Sequence, residues 1–202
     1  MMAKYIIFEG VDKTGKSTQV KLVTDKLNRI GLLDALAVSE VDDTFIGKGV
    51  RELTLNRAGA SVKTRFFMMC GARAQMYHEI MKPAIEKGKS LITDRSFISG
   101  VAYAGVTAGS KDFNYYIDIA TAPIEHRIPD MVFLFKRRPD IEDIPDDELE
   151  RQIAKDNTRG VIEEAISYAA YDSCPNVILV PTGGTIEEIT DFIVSEIEKV
   201  VL

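Results

Sequence analysis

Cysteine is scarce in this chain. Cys70 and Cys174 are the only two in 202 residues, each in or beside an apolar segment and without metal-ligand spacing. That pattern excludes a cysteine-held metal and favours buried thiols over a bridge. His78 and His126 have no partners at ligand spacing either and read as ordinary residues. No apolar run approaches the roughly 18 residues of a membrane span, and the first motif begins too early to leave room for a signal peptide. A cytoplasmic protein is the expectation. A basic excess is also missing: 25 Lys and Arg against 31 Asp and Glu give a net charge of −6. That argues against nonspecific nucleic-acid or membrane partners, which want a basic field. It leaves small anionic ligands open, because these need only a local cluster of cations. There is no internal repeat and no low-complexity linker. The guanine-reading N-K-x-D motif of nucleotide switches is absent as well.

What is present is an ordinary globular composition, 46% hydrophobic and 28% charged, in a chain long enough to bury a sizeable core as one domain over residues 1–202. The stretch Gly10-Val11-Asp12-Lys13-Thr14-Gly15-Lys16-Ser17-Thr18 fits G-x-x-x-x-G-K-[ST]. Tyr5 to Phe8 ahead of it is apolar and strand-like. Thr18 to Ile30 behind it has the spacing of an amphipathic helix. The motif therefore sits in the strand–loop–helix setting its chemistry needs. Its backbone N–H groups can turn inward around phosphate oxygens at the positive end of a helix. Lys16 is placed to reach the terminal phosphates of ATP, and Ser17 to hold a bridging Mg²⁺. A chance match in a glycine-bearing turn is the alternative, expected in roughly one chain in a hundred before the flanking elements are required.

Strands and helices then alternate. Strands are expected at Ala35–Ser39, Lys89–Thr93, Met131–Phe135 and Asn176–Pro181. Helices are expected at Gly47–Asn56, Val62–Lys87, Ser96–Tyr103, Phe113–Thr121 and from Thr185, a capping-box start, to about Val201. This order implies an α/β fold of the P-loop NTPase type: three α/β/α layers about a five-stranded, mostly parallel sheet. Between residues 137 and 160 the apolar signal thins and acidic residues crowd. Arg151, Lys155 and Arg159 follow at one-turn intervals on one helical face. The segment reads equally as a mobile lid whose cations close over phosphates or as a solvated surface helix.

Two further places stand out. Arg73 falls in the apolar stripe formed by Phe66, Met69, Cys70, Tyr77 and Ile80. A buried guanidinium there needs either a carboxylate or a polar ligand, and the ligand is the better account. Asp94-Arg95 closes the third strand, at the end where ligands gather in open α/β sheets. There Asp94 can hold magnesium and Arg95 a phosphate; a structural ion pair between the two is the alternative.

At these residues the sequence resembles the thymidylate kinase family. Phe8-Glu9-Gly10-Val11-Asp12, Gly15 to Gln19, Gly47 to Leu55, Arg73-Ala74-Gln75 and Asp94 to Tyr103 carry the likeness in order and spacing. The resemblance implies transfer of the γ-phosphoryl of ATP to thymidine monophosphate (dTMP), with Mg²⁺, in a homodimer. It assigns catalysis to Asp12, Lys16 and Arg95 and starts its lid at Arg137; in that segment the helical spacing makes Arg151 the first choice for a catalytic lid cation. It assigns the acceptor to Glu9, Asp12, Arg51, Met69, Arg73, Arg95, Ser99 and Tyr103, with Tyr168 packing near the sugar. Two departures bear on the acceptor. The family's R/K-E-P-G-G-T is here Ser39-Glu40-Val41-Asp42-Asp43-Thr44, and its thymine-stacking aromatic is Met69. Both predict a weaker hold on dTMP. A related kinase with another nucleoside or nucleoside monophosphate acceptor is the first alternative, and a slowly hydrolysing regulatory module the second.

Overall fold

The structure is a computed structural model, and it describes residues 2–55, 60–107, 113–137, 151 and 158–202. Five strands form one parallel sheet: β1 (Tyr5–Glu9), β2 (Ala35–Ser39), β3 (Ser90–Asp94), β4 (Met131–Phe135) and β5 (Val177–Val180), in the spatial order β2-β3-β1-β4-β5. β1 is central, pairing with β3 on one side (Phe8 opposite Asp94) and β4 on the other (Phe8 opposite Phe133). Every residue of β1 and β4 is buried, as strands covered on both faces must be.

The two faces of β1 follow from the period of two. Ile6 and Phe8 point into one core, with Val23 and Leu27 of α1 (Lys16–Arg29). Ile193 and Ile197 of the last helix, α8 (Ile186–Val201), complete that layer. Phe8 lies between the rings of Phe133 and Phe135, at centroid distances of 5.3 and 5.4 Å. Tyr5 and Ile7 point into the opposite core, beneath α3 (Val62–Met76), α5 (Phe97–Thr107), α6 (Phe113–Thr121) and α7 (Arg159–Ser173). Between α1 and α8 a polar tie crosses the apolar contact. Gln19 donates to the Ile186 carbonyl at 2.9 Å and accepts from the Thr190 hydroxyl at 2.8 Å.

Several boundaries differ from those read in the sequence. The first helix begins at Lys16 rather than Thr18, with Gly15 as its cap at φ 92°. The stretch expected as one helix over Val62–Lys87 is helical from Val62 to Glu86, but its hydrogen bonding changes along the way. α3 ends at Met76, a π-helical turn covers Tyr77–Met81, and α4 (Lys82–Glu86) follows, with Pro83 in its first turn. Proline lacks the N–H that a continuing helix requires. α2 runs from Phe45 to Leu55, slightly earlier than expected. Ser61 caps α3 by accepting from Thr64 N–H at 3.1 Å. At α8 the capping box is complete: Thr185 Oγ1 accepts from Glu188 N–H at 3.2 Å, and Glu188 accepts from Thr185 N–H at 2.7 Å. Among the described residues no helix is long and apolar enough to cross a membrane. Cys70 and Cys174 are both buried and free.

Candidate active site

The carboxyl ends of β1, β2 and β3 meet. Arg95 N–H donates to the Phe8 carbonyl at 2.9 Å, and Glu40 N–H donates to the Asp94 carbonyl at 3.2 Å. These bonds carry the pairing one step past each strand. They place Gly10, Glu40 and Arg95 around one opening, where an α/β sheet presents its crevice. Gly10 permits the turn out of β1. Its φ is 143°, and a Cβ there would meet the Phe135 carbonyl oxygen at 2.2 Å.

The opening is a cleft of about 320 Å³. It is lined by Asp12, Lys13, Gly15, Lys16, Ser17 and Thr18 of the loop, and by Ser39, Glu40, Asp42, Arg51, Asp94 and Arg95, which we call the acceptor wall. Among these, Lys16 is buried and Ser17 and Thr18 are exposed. Lys16 Nζ donates to the Val11 carbonyl at 2.6 Å, so the ammonium lies inside the loop it belongs to. Burial, with Arg95 nearby, pushes its pKa down to about 8 against the pull of Asp12, Asp94 and Glu9. An anion entering the loop would restore that charge's counter-ion.

Arg95, at φ 69°, is held by three acceptors. Its guanidinium donates to the Gly10 carbonyl and to Ser99 Oγ at 3.0 Å each, and to Asp12 Oδ1 at 2.5 Å. Burial acts against this charge, but Tyr103, Asp12 and Glu9 outweigh it and hold the group above its ordinary value. Behind Arg95, Glu9 is fully buried. Its carboxylate accepts from Ser99 Oγ (2.7 Å), Ser96 Oγ (2.8 Å), Ser99 N–H (3.2 Å) and Gly10 N–H (3.3 Å). Four donors satisfy a charge that would be costly alone. Glu9 thereby ties the phosphate loop to the first turn of α5, and Ser99 relays that tie to Arg95.

Of the residues read from the sequence, the cleft collects Asp12, Lys13, Gly15, Lys16, Ser17, Thr18, Arg51, Asp94 and Arg95. Glu9, Gly10, Val11, Thr14, Met69, Arg73, Ser99 and Tyr103 are not in its lining. Asp94 pairs with Arg95 nowhere in the described contacts; the ion pair at this end joins Arg95 to Asp12 instead. Met69 is half-buried between α3 and α2, its sulfur 4.0 Å from the Thr54 hydroxyl. Arg73 is buried and forms an ion pair with Glu40, which is buried as well. It also donates to the Ala120 carbonyl at 3.3 Å. The carboxylate account of Arg73 is therefore the one the protein supplies, whereas the sequence favoured a ligand. No local spacing signals a partner 33 residues away. Tyr168 is exposed and packs on Phe113, centroids 5.4 Å apart, outside the cleft lining. Of the lid cations, Arg151 is helical and exposed and Arg159 is buried at the start of α7. Lys155 and most of the segment 137–160 lie outside the described residues.

Ser39, Asp42 and Glu40 in the wall complete the inventory. Asp43 Oδ2 accepts from Ser39 N–H at 2.7 Å and so closes the turn after β2. Asp42 Oδ2 lies 3.2 Å from Arg51 of α2.

A parallel sheet with a glycine-bounded loop capping the helix after its central strand, and Arg95 bonded to that loop, defines the P-loop NTPase fold. The thymidylate kinase family model matches residues 8–174. With 167 of the 202 residues inside that match, the chain belongs to the thymidylate kinase family. It is 32% identical over 131 residues to a thymidylate kinase of Sulfurovum sp., covering 65% of this chain and 64% of that one. It is 38% identical over 110 residues to a thymidylate kinase of Caldanaerobacter subterraneus, covering 54% and 52%. The matched stretches thus span about half to two thirds of these relatives. The crystal structure of thymidylate kinase from Ehrlichia chaffeensis superposes over the full length of both chains with a TM-score of 0.75, at 22% identity. That likeness concerns the fold.

Proposed function

We propose that this protein transfers the γ-phosphoryl group of ATP to dTMP, giving dTDP and ADP. One observation carries the reading: a single cleft is lined by Lys16, Ser17 and the phosphate loop together with Arg51 and Arg95. A donor's phosphates on the loop and an acceptor's phosphate on the arginines would then lie end to end. Phosphoryl transfer asks little covalent chemistry of a protein beyond in-line placement and charge neutralisation. The acceptor's phosphate is already ionised, so no strong general base is needed.

In this reading the loop's N–H groups and Lys16 hold the donor's terminal phosphates. Lys16 must leave the Val11 carbonyl to do so. Arg95 is preorganised, because three acceptors fix its planar group before substrate arrives. Preorganised charge of this kind lowers the barrier because nothing has to reorient during the reaction. Asp12 orients Arg95 and the acceptor together, and Arg51 adds the second positive charge on the acceptor's phosphate. Glu9 and Ser99 act from behind as supports, not as contacts.

Magnesium fits the oxygens present. The Ser17 hydroxyl and the Asp94 carboxylate line the same cleft, and both are hard donors of the kind this ion takes. Among the described residues no cluster of three or more acidic, cysteine or histidine side chains forms a metal cage. An ion that keeps water and nucleotide phosphates as its other ligands needs none. When bound, Mg²⁺ supplies charge neutralisation across the phosphates. One kinase domain over residues 1–202, acting as a homodimer in the cytoplasm, completes the proposal.

The experiment is a coupled assay of ADP release with ATP against each common nucleoside and nucleoside monophosphate. The expected outcome is the highest kcat/KM with dTMP. A higher value with a nucleoside, or with another monophosphate, would reassign the acceptor.

A further inference from the structure

Asp42 holds an unusual position for a carboxylate. It lines the cleft on the wall assigned to an anionic acceptor, and its Oδ2 sits 3.2 Å from Arg51. Arg51 is the cation on that wall with an exposed side chain. Oδ1 of the same carboxylate is buried and has no hydrogen-bond partner among the described residues. A carboxylate half satisfied by one arginine is a weak anchor, since a buried unpaired oxygen costs free energy rather than contributing it. Burial also raises its pKa, with Arg51 and Lys48 of α2 pulling down and Asp43 and Asp94 pushing up. Its neighbour Asp43 is differently employed, closing the turn through Ser39 N–H. Of the acidic residues in this loop, Asp42 is therefore the one that meets Arg51 in the described ion pairs, Glu40 being taken by Arg73.

We propose that Asp42 is an internal counter-anion for Arg51, occupying the place of the acceptor's phosphate in the free protein, so that dTMP must displace it to bind. This rests on the phosphoryl-transfer reading above. It deepens that reading by naming the residue that sets acceptor affinity. A carboxylate carries one negative charge and offers two oxygens, whereas a phosphate monoester carries nearly two charges and offers three. The phosphate wins the arginine when present, but only against the intramolecular competitor. Once displaced, Asp42 also stands near a dianion, which adds to the same penalty. The donor side is spared, because Arg51 and Asp42 belong to the acceptor wall.

A bracing role for Asp42 would have the opposite sign. If the carboxylate merely held Arg51 in its working direction, removing the charge would loosen the arginine and weaken the acceptor. The test is therefore the KM for dTMP at saturating ATP in wild type, Asp42→Asn and Asp42→Gly, with the KM for ATP measured alongside. Loss of an exposed-to-half-buried ion pair of this kind corresponds to at most about fivefold in affinity. The expected result is a fall of that size in the dTMP KM in both variants, with kcat and the ATP KM within about twofold of wild type. An unchanged or raised dTMP KM in folded variants overturns the proposal. So does loss of the folded state in both variants, since the carboxylate would then be a structural member of the loop. If wild type itself does not phosphorylate dTMP, the functional reading falls and the inference with it. That outcome is distinguishable because it appears before any variant is compared.

Discussion

Arg73 can carry its charge inside the protein because Glu40 comes to meet it. Glu40 holds the guanidinium above its ordinary value against the opposing effect of burial. The pair joins the loop after β2 to the last turn of α3, so it pins the acceptor wall to the helical layer above it. Removing one partner leaves the other buried and uncompensated, which typically costs about 3–5 kcal/mol. Glu40→Ala should therefore lower the free energy of unfolding by an amount of that order, read as a lower urea midpoint at unchanged slope. A change under about 1 kcal/mol would mean that Arg73 is free to take a ligand instead. This is where sequence reading went furthest astray. It recognised that Arg73 needed a counterpart but could not find Glu40, because pairing across 33 residues is set by the fold. Asp42 is a nearer miss: the departure over residues 39–44 predicts a weaker hold on dTMP, but nothing in it points to the contact with Arg51.

Elements tell a more local story. The phosphate loop, its strand and its helix were legible because glycine placement, apolar runs and helical spacing all act within about twenty residues. The capping box at Thr185 and Glu188 was legible for the same reason. The π-helical turn at Tyr77–Met81 was not, since its apolar spacing continues that of α3 and only Pro83 hints at a change. α2 depends on a contact no pattern records. A Cβ at Gly47 would lie 1.6 Å from the Val41 carbonyl oxygen, so α2 can approach the loop after β2 only because this residue is glycine. Gly47→Ala should push the start of α2 away and carry Arg51 with it. Misplacement of a binding group by about an ångström can cost up to about a hundredfold. The expected outcome is a dTMP KM raised about ten- to a hundredfold, with the ATP KM little changed. Equal losses on both substrates would show that α2 supports the whole site rather than the acceptor wall.

At the scale of the molecule, the sheet order β2-β3-β1-β4-β5 does the assembling. Putting β1 between β3 and β4 brings the loop after β1 beside Asp94-Arg95, 85 positions away. α2 then closes the far wall. The sequence implied a parallel sheet through its alternation, and the family resemblance supplied the partnership of these segments. Periodicity alone could not, because strand order is a long-range property. The central claim is that this assembly passes a phosphoryl group directly from a nucleotide on the loop to an acceptor on the arginines. The direct measurement follows ATP labelled in its γ-phosphate, incubated with Mg²⁺ and with or without dTMP, in wild type and Lys16→Ala. Removing one preorganised charge at such a site typically costs about 10²–10³ in rate. The account predicts label in dTDP, little release as free phosphate, and a loss of that size in folded Lys16→Ala. Label released as free phosphate at the same rate whether or not dTMP is present, or undiminished transfer by Lys16→Ala, would contradict it.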